Sequence, residues 1–119
     1  MKHHDLATGG AGARLLATLV HDSVRAHLFP GELDPRGFRP VPGESWRQAV
    51  LPDGTVVRAD LAASPATQRR HGPRACAGIR VTGVLTVDRT GYRVAADVCI
   101  DLATRAVLSC DARIEAVSP

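Results

Sequence analysis

The sequence predicts an α+β domain: one N-terminal helix packed on a curled, mainly antiparallel sheet of about five strands, a cone or partial barrel. Three observations lead there. Apolar residues recur at three- and four-residue spacing in one segment, Gly12 to Phe29. From Ala75 the period becomes two and holds for three successive strands. Short turns rich in Pro, Asp and Gly join the extended segments, so sequence neighbours pair as antiparallel hairpins.

Residues 1–10 (MKHHDLATGG) are polar and glycine-rich and are expected to be a flexible lead-in. In the helix, Leu16, Leu19, Val20, Val24 and Leu28 take one side, while Arg14, Thr18, His21, Asp22 and Arg25 take the other; Pro30-Gly31 ends it. Residues 30–44 hold four prolines and three glycines, so no regular element is expected. Residues 45–62 read as a first hairpin: Ser45 to Leu51, the turn Pro52-Asp53-Gly54, then Thr55 to Ala62. Residues 63–74 (ASPATQRRHGPR) read as a basic loop.

The three-stranded meander spans residues 75–117. Ala77, Ile79, Val81, Leu85 and Val87 share the inner face of its first strand, opposite Arg80, Thr82 and Thr86. A turn over Asp88-Arg89-Thr90-Gly91 leads to a strand with Tyr92, Val94, Ala96, Val98 and Ile100 inward and Arg93, Asp97, Cys99 and Asp101 outward. In the last strand Ala106, Leu108, Cys110, Ala112, Ile114 and Ala116 face inward, and Ser109, Asp111, Arg113 and Glu115 outward. Such alternation means one buried face and one wet face.

Composition narrows the function classes. At 119 residues the chain is one domain able to stand on its own core, and 45% hydrophobic with 23% charged residues excludes a disordered chain. The formal charge of +3 is modest and both signs are interspersed, which reads as solubility. Nucleic-acid binding is not expected, because no aromatic platform accompanies the arginines. Three cysteines without a close CxxC pair, no signal-peptide-like segment and no apolar run of about 20 residues predict a cytoplasmic chain with reduced thiols and no membrane contact.

Pairing Val87 with Tyr92 across the turn sets Gly83 opposite Ala96, with Cys110 or Ala112 beyond. These small residues would form a band across a charge-free inner face. Two readings of that band stay open. It lets the helix approach or the sheet bend, or it floors a cavity for an apolar ligand. In the second reading Trp46 and Tyr92 stand at the mouth, each an apolar body with one polar handle, and with His27 they orient the substrate; His27 and Tyr92 are then the candidate catalytic groups.

Other chemical groups are sparse. His27 lies one turn after Ser23, within hydrogen-bond reach on a helix, but no carboxylate is placed to complete a hydrolase triad. Cys110 reads as a small hydrophobe, and nothing near Cys99 in sequence would activate its thiol. His3, His4 and Asp5 chelate a metal only adventitiously, without downstream ligands, so neither a metal nor a cofactor is expected. Thr8 to Ala13 (TGGAGA) lacks the preceding strand that a phosphate loop requires. Arg69, Arg70, His71 and Arg74, joined by Arg36 and Arg39, form a basic group suited to a phosphate or an acidic partner surface, or else a solvated loop.

Over residues 12–117 the pattern of one helix and a curled antiparallel meander resembles the cone-shaped NTF2-like and cystatin-like folds. It is a resemblance of pattern, with no family motif. NTF2-like proteins include SnoaL-like polyketide cyclases and ketosteroid isomerase; this chain has one helix where they usually show more, and no inward Asp to serve as a general base. An apolar cup without acid or base groups is more similar to small pericyclase-type enzymes of natural-product pathways, which act by shape and positioning. The resemblance implies a bacterial cyclase or isomerase holding an apolar small molecule between helix and sheet. The alternative is a non-enzymatic ligand-binding or protein-interaction module. A homodimer is expected at a strand edge or at the first hairpin, because the outward strand faces carry too many charges to be buried unpaired.

Overall fold

The structure, a computed structural model, describes residues 10–29 and 37–117. Helix α1 (Gly10–Leu28) forms where the 3.6-residue period runs without a proline, and it buries Leu16, Leu19, Val20, Val24 and Ala26 along one side. Each large side chain so buried contributes about 2 kcal/mol. The chain then builds β1 (Arg39–Pro40), β2 (Arg47–Val50), β3 (Val56–Ala63), β4 (Thr67–His71), β5 (Arg74–Val87), β6 (Thr90–Asp101) and β7 (Val107–Ala116). Every pairing is antiparallel, in the order β1-β2-β3-β5-β6-β7. The sheet is open, and β4 follows β3 along the edge of β5 that β6 leaves free.

The α+β class is as expected, but seven strands replace about five. The two additions lie where composition argued for loops. Arg39 and Pro40 pair with Gln48 and Arg47 at the sheet edge, where a proline costs no ladder hydrogen bond. Thr67 to His71 pair with Gly78 to Arg74. That strand has no apolar alternation because its described side chains are exposed, so only the backbone ladder holds it. The first hairpin turns as expected at Pro52-Asp53-Gly54: the Thr55 amide donates to Asp53 Oδ1 (2.9 Å), and Gly54 takes φ +90°.

The register of β5 on β6 corrects the expected one by two residues. Val87 faces Thr90, and the turn is only Asp88-Arg89, with Asp88 at φ +58°. An Asp tolerates this left-handed conformation better than most residues. A shift of two preserves the faces and changes every partner: Leu85 faces Tyr92, Gly83 faces Val94, and Val81 faces Ala96. The small residues therefore do not align. The transverse rows read Gly83–Val94–Ile114 and Val81–Ala96–Ala112. A bulge at Cys99/Ile100 adds a second correction, since Val107 faces Ile100 and packs on the core in place of Ala106 and Leu108.

The core lies between α1 and the inner sheet face, where Val57, Ala59, Leu61, Val81, Leu85, Tyr92, Val94, Ala96 and Val98 meet the helix. Gly83 serves the backbone there. It sits at φ +157°, and a Cβ on it would collide with the Asp60 carbonyl and stand 2.9 Å from the Leu61 Cα. Only glycine lets β3 lie this close.

Cys76 and Cys99 are joined in a disulfide, Cα–Cα 6.0 Å, which corrects the expectation of reduced thiols. The register explains it: Cys76 faces Asp101 and Gly78 faces Cys99, so the cysteines stand diagonally on one face. Such bonds persist in oxidising surroundings, so cysteine usage gives no support to a cytoplasmic location. Among the described residues, no helix is long and apolar enough to cross a membrane.

Candidate functional site

The residues expected to line an inner cavity are dispersed. Tyr92 and Ala96 are 1% and 0% exposed, part of the packed core beneath α1. Gly83 is taken up by its contact with β3. Cys110 is half-buried against the core, and burial followed by the neighbouring Asp111 charge pushes its thiol pKa up, the opposite of an activated nucleophile. Ala112 is exposed on strand β7. Trp46 lies away from Tyr92, with the Arg58 guanidinium 3.9 Å above its ring.

Ser23 and His27 do not pair as expected. The Ser23 hydroxyl donates to the Val20 carbonyl (2.9 Å), a bond within the helix. His27 is half-buried; desolvation and then the Arg47 charge lower its pKa. His3, His4, Asp5 and Arg36 lie outside the described residues. Among the described residues no three His, Cys, Asp or Glu side chains converge on a metal position.

The open concavity is on the outer face, where the sequence shows only solvated charge. A cleft of about 310 Å³ lies between β4 and the outer rows of β5, β6 and β7. Its floor is Gly78, Cys99 and Ser109, and its charged lining is Arg69, Arg70, Arg80, Asp97 and Asp111. Strand β4 walls it because Arg69 sits opposite Cys76 on the same face, two residues along from the Thr67–Gly78 pair.

Gly78 positions Arg69. A Cβ at residue 78 would stand 2.6 Å from Arg69 Cδ and Nε, so the arginine lies flat across the sheet only over a glycine. Arg69 hydrogen-bonds to nothing among the described residues, whereas Arg70 donates to the Pro73 carbonyl (3.3 Å). Arg80 grips Asp97 with two bonds, 3.1 and 3.2 Å. That hydrogen bonding, and then the charges of Arg80, Arg69 and Arg113, holds the Asp97 carboxyl below its ordinary range.

Of the basic group expected at Arg69 to Arg74, Arg69 and Arg70 line the cleft. Arg74 is tied to Asp101 (2.8 Å), and Arg39 lies on β1 at the far edge of the sheet. Gly78, Asp97, Ser109 and Asp111 were not expected as site residues. A glycine inside an alternating strand was the available signal, since it marks a close approach.

Most of the reactive groups in the cleft lining are already engaged, Asp111 excepted. Its carboxylate Asp97 is ion-paired and ionised, its cysteine is oxidised, and the Thr67 hydroxyl donates to the Gly78 carbonyl (3.2 Å). With Arg80 and Asp97 satisfying each other, Arg69 and Arg70 leave positive charge at the β4 end and Asp111 leaves negative charge toward β7. Comparison of the chain with protein-family models, with curated proteins and with solved structures finds no match.

Proposed function

We propose that the protein is a non-catalytic binding module that receives an acidic group of a polypeptide partner in its outer-face cleft. One observation carries this reading: Arg69 lies flat over Gly78 in a cleft of about 310 Å³ with its guanidinium free of hydrogen bonds among the described residues. Lying over Gly78 the guanidinium faces the cleft, and its planar fork suits two parallel bonds to a carboxylate.

The test is a titration of the full chain with a glutamate-rich peptide and its glutamine counterpart, followed by amide NMR. The glutamate peptide shifts Gly78, Cys99 and Ser109, and R69Q weakens binding by about tenfold. G78A, which displaces the Arg69 side chain, weakens it comparably while leaving the sheet folded. Equal binding of both peptides, or an unchanged affinity in R69Q, removes this reading.

A second reading, a bacterial natural-product cyclase or isomerase holding an apolar substrate between helix and sheet, keeps one observation in its favour. The inner face of β5, β6 and β7 carries no charged side chain. It requires α1 to lift from the sheet to admit a ligand. An apolar probe that shifts Tyr92, Ala96 and His27 in the same NMR experiment would favour it over the acidic-group module.

A further inference from the structure

The sheet has free strand edges, and they are not protected alike. At one end β1 is two residues long and contains Pro40. The edge along β3 and β4 is interrupted at Ser64-Pro65-Ala66 and carries Arg69 and Arg70. These are ordinary means of blocking edge-to-edge association. Strand β7, at the other end, contains no proline or glycine and runs in register with β6 from Ser109 to Ala116. Its inner-face residues in that stretch, Cys110, Ala112, Ile114 and Ala116, include no charge. It therefore offers a regular row of backbone donors and acceptors that are unpaired among the described residues.

The charges on β7 fit a second β7. In an antiparallel pair about a two-fold axis, residues of like parity face each other, so the axis must pass through a residue. With the axis at Ala112, Asp111 faces Arg113 of the second copy and Arg113 faces its Asp111, while Cys110 meets Ile114 on the inner face. Moving the axis to Asp111 sets Asp against Asp. Moving it to Arg113 sets Arg against Arg and Asp111 against Glu115. The alternation Asp111-Ala112-Arg113 thus favours the Ala112 axis over the two adjacent ones; an axis at Ile114 also sets Arg113 against Glu115, but it pairs only residues 112–116 of β7 and leaves Asp111 without an opposite charge.

In the single chain neither of those two residues faces an opposite charge across the ladder, although the Arg113 charge reaches Asp97 diagonally. Elsewhere on the outer face the ladder matches charges, as in Arg80 with Asp97 and Arg93 with Glu115 (3.5 Å). Asp111, however, faces the like-charged Asp97, and Arg113 faces Ala95. A second copy in the Ala112 register supplies what is missing, and the row becomes Arg80, Asp97, Asp111, then Arg113 of the second copy.

From this we propose that the protein is a homodimer in which two β7 strands pair antiparallel about Ala112 and join the sheets edge to edge. Asp111 also lines the cleft, so the dimer is tested on self-association alone, with no peptide present. Sedimentation equilibrium of the full chain from about 1 to 500 μM should give twice the 12.6 kDa chain mass at the upper end, as strand pairing of modest affinity would. D111R and R113D should each weaken self-association by at least about tenfold, and the double variant D111R/R113D should recover to within about threefold of wild type. Circular dichroism melting shows that each variant is folded. In a C110S background, A112C should oxidise to a covalent dimer, whereas S109C should not.

A chain that stays monomeric over this range overturns the proposal. So does a double variant no better than either single one, or cross-linking that does not prefer Ala112. Loss of peptide affinity in R69Q reads the β4 side of the sheet, and sedimentation without peptide reads β7, so the binding-module reading and the dimer can each fail alone.

Discussion

At the scale of single residues, three side chains changed meaning between sequence and structure. Gly83 had two readings, cavity floor or a place where the helix approaches or the sheet bends, and the structure gives it a different part: a Cβ there would meet the Asp60 carbonyl of the neighbouring strand β3. G83A should lower unfolding stability by about 2 kcal/mol or more, because the new methyl meets backbone at a φ that side chains rarely adopt. Urea unfolding measures this, and an unchanged midpoint would show that β3 can give way. His27 was a hydrolase candidate and is a half-buried imidazole whose pKa lies below 6.5, first through desolvation and then through Arg47. Its sign follows from linkage: the unfolded chain takes up a proton near pH 6.5 that the folded chain resists. Stability should therefore fall as pH drops from 6.5 through the lowered native value, and H27Q should flatten that part of the profile relative to wild type. Denaturant titrations at pH 7.5 and 5.5 compare the two chains; equal pH dependence would remove the effect. Arg69 read as one charge in a solvated loop, and only its passage over Gly78 makes it a positioned group.

At the scale of elements, the β5–β6 hairpin shows how a small misreading spreads. A turn of four residues, Asp88 to Gly91, is consistent with the alternation, and so is the observed turn of two. Because the side-chain period is two, both put the same residues inside. Only the partners differ, and the partners decide the cysteines. With Val87 opposite Tyr92, Cys76 and Cys99 would be four positions out of step; with Val87 opposite Thr90 they are two out of step and bonded. The bond closes a loop with a sequence separation of 23, and reducing it should destabilise the chain by about 3 kcal/mol. Urea unfolding with and without dithiothreitol, alongside C76S/C99S, tests this; a variant as stable as the oxidised chain would contradict it. Strands β1 and β4 escaped the sequence for a different reason. Their described side chains are exposed, so burial left no periodic mark, and their hydrogen bonds come from a backbone whose composition is silent.

At the scale of the whole molecule, the helix and the sheet divide the labour between faces. α1 and the inner face share one packed core, which leaves concavity and charge to the outer face. The sequence by itself determined the helix from Gly12, the alternation that sorts β5 and β6 into inner and outer residues, and the turn at Pro52-Asp53-Gly54. These are local or periodic properties, written wherever one side of an element is buried. The tertiary structure decided the register of β5 on β6, the disulfide, the two strands without a pattern, the fate of Gly83 and the outer cleft under β4. Each depends on which residues from distant parts of the chain come to lie opposite one another. Burial periodicity carries no information about that choice, because a shift of two residues leaves the pattern unchanged while replacing every neighbour.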